Sequence, residues 1–78
     1  MEKNDALKLV NDVFKDVLDE DDIVLTFETT ANDVEGWDSL THIQLVVAIE
    51  KQFKMRFTSK EIQSWKDVGE MIDCILSK

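Results

Sequence analysis

The sequence predicts an all-α fold, a small bundle of four helical segments. Three of them are longer and one is short, and a long loop joins the first to the second. Three observations carry this prediction. The 78-residue chain has no proline and only two glycines, Gly36 and Gly69, so it lacks the turn chemistry that hairpins need. Its apolar residues recur at helical spacing in separate stretches. Residue patterns that start helices stand ahead of several of those stretches. The apolar fraction of 44% and the absence of low-complexity sequence fit a folded chain with a modest core. Residues 1–78 are therefore expected to form one domain.

The first helix is expected over 5–18, with Asn4 as its N-cap. Leu7, Val10, Val13, Phe14, Val17 and Leu18 give it one apolar stripe. Asp19, Glu20, Asp21 and Asp22 end it. That acidic run has neither the alternating ligands nor the glycine of a calcium loop, so no metal is expected there. Residues 19–37 then form the long connection. Ile23, Val24, Leu25 and Phe27 are expected to pin it to the bundle. A strand over Ile23–Phe27 would have no evident partner. A loop this long in a small domain is either functional or disordered, and its apolar anchors favour function.

The second helix should run from about Ser39 to Lys54. At about 100° per residue its apolar residues divide between two sides. Leu45, Val46, Ile49 and Phe53 face one way, and Leu40, Ile43 and Val47 face roughly the other. One side can be buried by neighbouring helices. The other, nearest Ser39, is expected to be exposed enough to dock a partner. Thr58-Ser59-Lys60-Glu61 has capping-box spacing and starts the short helix, which carries Ile62 and Trp65. Asp67 caps a final helix of about 68–77, with Val68, Met71, Ile72, Ile75 and Leu76 as its stripe. Gly69 weakens that helix unless another backbone comes close. Met55, Phe57 and Trp65 read as core filler.

The net charge of −8 is unevenly spread. Residues 19–38 hold eight acids and no base, whereas residues 39–54 hold two lysines against Glu50. Such a field repels nucleic acid and anionic membranes. Cys74 is the only cysteine, so an internal disulfide is impossible and a reducing compartment is favoured. No stretch reads as a signal peptide or a membrane span. The expected address is the cytoplasm, and the expected state is a monomer.

Gly36-Trp37-Asp38-Ser39-Leu40 is the stretch around which the chain is organised. Glycine permits a sharp turn, and Asp and Ser are at home where a helix starts. Ser39 is expected at an exposed first turn, within reach of a large reagent. A plain helix cap explains these five residues equally well. His42 lies three residues on, but a Ser–His hydrolase would also need an orienting acid, an oxyanion hole and a cleft. Asp38 and His42 are two possible ligands, too few for a metal site. Cys74 has no neighbouring base and reads as a small apolar residue. No catalytic residue and no resident metal are expected.

Taken together, these features resemble the acyl carrier proteins, small four-helix carriers of phosphopantetheine. The resemblance spans the chain: the opening helix, the acidic loop, Gly36-Trp37-Asp38-Ser39-Leu40, Glu50 and Phe53 on the second helix, and the two closing helices. It implies a 4′-phosphopantetheine arm on Ser39, placed by a phosphopantetheinyl transferase with magnesium, and a thioester on the arm's thiol. It also implies that Asp38 orients the transferase and its metal. Leu40, Ile43 and Val47, with Glu50 at the edge, would meet partners such as an acyl-loading ligase, an acyltransferase or a ketosynthase. Two departures stand out: Glu35 precedes Gly36, and Trp37 is large for a variable position. The second helix is also poor in acids, so a specialised pathway is expected rather than housekeeping fatty acid synthesis. The alternatives are a peptidyl or D-alanyl carrier, and an unmodified helical interaction module.

Overall fold

The computed structural model describes residues 2–78. Four helices follow one another: α1 Lys3–Leu18, α2 Ser39–Phe53, α3 Ser59–Ser64 and α4 Val68–Leu76. No strand occurs among the described residues. The all-α expectation and the order of three long helices and one short one hold.

α1 starts earlier than expected. Glu2, not Asn4, is its N-cap; the Glu2 backbone is extended and its carbonyl accepts the Ala6 N–H at 3.0 Å. Asn4 lies inside the helix, where its side chain cannot cap. Asp19 ends α1 in the left-handed conformation, at φ 54°, and its N–H donates to the Lys15 carbonyl. Ala6, Val10 and Phe14 are fully buried against Leu45 and Ile49 of α2 and Met71, Ile72 and Val68 of α4. Amphipathic helices close such a core by burying one stripe each.

The loop is pinned by polar as well as apolar groups. Asn11 of α1 donates from Nδ2 to the Ile23 carbonyl (3.1 Å) and accepts the Leu25 N–H on Oδ1 (2.6 Å). Leu25 is buried, and Ile23 and Phe27 pack against the core. Val24, expected to be an anchor, is 82% exposed. With neighbours on both sides tied down, its side chain is left pointing to solvent. Thr29 is buried, and its hydroxyl accepts the Thr26 N–H at 2.8 Å.

The loop also completes α4. The Val68 N–H donates to the Thr29 carbonyl (2.9 Å) and the Gly69 N–H to the Phe27 carbonyl (2.8 Å). These are first-turn donors that no helix can satisfy internally. The close approach explains Gly69, since a Cβ there would lie 2.7 Å from the Phe27 carbonyl oxygen. Asp67 takes the Glu70 N–H at 2.9 Å as N-cap.

α3 begins on the expected capping box. Thr58 Oγ1 accepts the Glu61 N–H (3.1 Å), and Glu61 Oε1 accepts the Thr58 N–H (2.8 Å). Trp65 lies just past its end, as C-cap, because α3 stops at Ser64. Lys78 Nζ sits 2.7 Å from Glu61 Oε1 and holds that carboxyl down to about 2. Glu61 Oε2 lies 3.6 Å from the Cys74 thiol, which burial keeps protonated by pushing its pKa up. Glu61 thus ties short α3 to the end of α4.

Candidate functional site

The turn before α2 is set by Gly36, at φ +89°, a value that strains any residue with a Cβ. Asp38 is the N-cap. Its Oδ1 accepts the N–H groups of Leu40 (3.0 Å) and Thr41 (2.9 Å). Thr41 completes the box by accepting the Asp38 N–H on Oγ1 (2.8 Å) and donating its hydroxyl to the Gly36 carbonyl (2.7 Å). The Thr41 N–H, with smaller help from that of Leu40, lowers the Asp38 pKa, so the cap is anionic at neutral pH.

With Asp38 as cap, the Ser39 hydroxyl is free of structural work. Ser39 is exposed at the first residue of α2, and its side chain makes no hydrogen bond among the described residues. The positive end of the helix lies directly beneath it.

The apolar stripe of α2 is where the sequence placed it. Leu40 is 68% exposed, Ile43 62% and Val47 45%, while Leu45, Val46 and Ile49 are buried. Phe53, expected fully on the core side, is only partly buried. Glu50 is half-buried, and its Oε2 accepts the Phe57 N–H at 2.8 Å. That carboxylate stabilises the chain reversal after α2, so it faces the margin of the stripe rather than its centre. Beyond Val47 the stripe runs into a groove lined by Lys51, Lys54, Met55 and Arg56. None of these three cations is ion-paired among the described residues.

Trp37, singled out in the sequence only for its size, is a core residue. It is 9% exposed and meets Phe14 edge-on, with centroids 4.8 Å apart at 89°. Its indole Nε1–H donates to His42 Nδ1 at 3.1 Å, and the two ring planes lie within 20° of each other with centroids 6.1 Å apart. Trp65 meets His42 edge-on at 6.2 Å. A cleft of about 290 Å³ opens beside Ser39, lined among others by Trp37, His42, Trp65 and Met71. The available signal was a large apolar residue and a histidine five positions apart across a helix start.

His42 does not serve Ser39 as a base. Its Nδ1 is occupied by the Trp37 indole N–H. Burial pushes its pKa below the usual histidine value. No group of three or more His, Cys, Asp or Glu side chains could hold a metal among the described residues. No helix among them is long and apolar enough to cross a membrane.

This arrangement presents one unencumbered hydroxyl at a helix start, beside an exposed apolar stripe, with no catalytic apparatus around it. The chain belongs to the family described as "Phosphopantetheine attachment site", whose model matches residues 8–75. Within that class it is an acyl carrier protein, a carrier and not an enzyme, whose group is a covalently attached phosphopantetheine. It is 27% identical over 66 residues to the acyl carrier protein of Clostridium perfringens strain SM101, covering 85% of this chain and 87% of that one. Its fold matches the solution structure of holo acyl carrier protein from Geobacter metallireducens, with TM-score 0.87 and 42% identity. That match covers 94% of this chain and 84% of the other. The site fits such a group. Ser39 is exposed, its oxygen is not used in capping, and the helix N-terminus favours the negative charge of a phosphodiester.

Proposed function

We propose that Ser39 is the attachment serine. The observation that carries this reading is the division of labour at the head of α2: Asp38 caps, and Ser39 stands exposed with its hydroxyl unengaged. In the transfer reaction the Ser39 oxygen would displace the nucleotide half of coenzyme A and form a phosphodiester. The serine proton leaves to a base of the transferase, since this chain places none at Ser39. When bound, the arm supplies a thiol that carries acyl groups as thioesters. The chain acts as one domain in the cytoplasm, a compartment that suits its unpaired Cys74.

Leu40, Ile43 and Val47 form the partner-docking surface, with Glu50 and Asp38 at its margins. The transferase and the acyl-handling enzymes are its readers. Ile43→Glu is expected to keep the helical fold, because Ile43 is 62% exposed. It is expected to lower kcat/KM for loading of Ser39 by about tenfold or more, because it forces a charge into an apolar contact. Loading kinetics together with far-UV circular dichroism check this. Unfolding of the variant would instead make Ile43 a core residue.

The pathway is a specialised one rather than housekeeping fatty acid synthesis. What supports this is charge: the far end of the stripe carries Lys51, Lys54 and Arg56 where a basic partner patch would be repelled. A fatty-acid ketosynthase is expected to elongate chains on this protein far more slowly than on a housekeeping carrier. Comparable rates would contradict the assignment.

A further inference from the structure

His42 contributes nothing to the chemistry proposed for Ser39, yet it meets both tryptophans beside it, Trp37 through a hydrogen bond and Trp65 edge-on. Tryptophan Nε1 is a donor only. The Trp37–His42 hydrogen bond therefore requires an unprotonated Nδ1, which fixes the neutral ring as its Nε2–H tautomer. Trp37 is next but one to Ser39 and adjoins the cap residue Asp38. Its indole is held from below by Phe14 and from the side by His42.

We propose that His42 is a positioning residue. Its neutral ring, acting through the Trp37 indole, holds the Gly36–Ser39 turn in the geometry in which Ser39 is modified, and protonation of that ring releases the turn. This rests on the reading of Ser39 as the attachment serine. An imidazolium has two donors and no acceptor, so it leaves the Trp37 N–H facing another N–H. The charged groups lining the same cleft are Asp38 from the turn, and Lys66 and Asp67 from the segment between α3 and α4. α4 contributes neutral Met71, α1 contributes neutral Phe14, and the Ile62 backbone of α3 favours the charged ring, less than burial opposes it. Burial already disfavours the charged ring. The latch is therefore closed above the ordinary histidine range and opens as pH falls below it.

The test has two arms. The first uses unmodified protein and follows the Trp37 indole N–H and the His42 ring by NMR from about pH 8 to about pH 5. The indole signal is expected to shift and exchange faster with the same midpoint as the ring. In Trp37→Phe the ring's midpoint is expected to rise, because the neutral form loses a donor. The second arm measures kcat/KM for loading by one transferase across the same range. The ratio of parent to Trp37→Phe cancels the transferase's own pH dependence. It is expected to be about fivefold at the upper end, the worth of one neutral hydrogen bond, and to fall toward one at the lower end. His42→Phe keeps an aromatic ring without an acceptor and is expected to match Trp37→Phe. It also replaces that variant if Trp37→Phe does not fold. An indole signal indifferent to the His42 titration, or a ratio constant with pH, would overturn the proposal. Absence of loading at every pH would count against Ser39 itself, and the first arm would still decide the latch.

Discussion

Phe14→Ala is expected to destabilise the protein by about 3–5 kcal/mol, the range for a fully buried phenylalanine. A chain of this size has roughly 4–12 kcal/mol in total, so the variant should stand at the edge of unfolding. The large effect follows from where Phe14 sits. It is fully buried at the centre of the α1 stripe, and its ring supports the edge of Trp37. Its loss removes transfer energy, opens a cavity and unseats the aromatic row that continues through His42 and Trp65 to Phe57. Urea denaturation followed by circular dichroism measures it. Phe53→Ala, by contrast, should cost well below that range, because Phe53 is only partly buried. Equal losses at the two positions would mean that the site is not built on Phe14.

These two phenylalanines show what sequence could and could not deliver. Helical spacing identified both stripes of α2, and the exposed one was placed correctly at Leu40, Ile43 and Val47. Spacing gives a direction on a helix, but not how far the neighbouring chain reaches along it. Phe53, in the last turn of α2, is therefore only partly covered. Cap motifs worked where the side chain actually caps, at Asp38, Thr58 and Asp67. They failed at Asn4, because α1 starts from an extended Glu2 backbone with no side-chain cap.

The loop was harder to read. Its fixed points are Asn11, the Thr29 carbonyl and the Phe27 carbonyl, all long-range polar contacts that leave no periodic trace. The Gly69 expectation succeeded because a glycine inside a helix has few explanations, and a close backbone was one of them. Trp37, by contrast, drew no expectation of burial. A residue before a helix cap has no periodicity to judge it by, so only the structure could place it in the core.

The assignment of Ser39 depends on a distinction the sequence left open, whether that serine caps the helix or is free. In the structure Asp38 takes the capping hydrogen bonds. Ser39→Ala should therefore leave stability within about 0.5 kcal/mol of the parent, as for an exposed substitution away from special features. Its effect on loading should nevertheless be complete, because no neighbouring hydroxyl holds the same position. Thr41, the nearest, is committed to the capping box.

The most direct test is mass after incubation with coenzyme A, magnesium and a broad-specificity phosphopantetheinyl transferase, on the parent and on Ser39→Ala. Trypsin should release Asp16–Lys51 as one peptide in which Ser39 is the only serine. One added phosphopantetheine on that peptide in the parent, and none in the folded variant, is the expected result. No gain in folded, previously unmodified parent, or an equal gain in Ser39→Ala, would contradict the account.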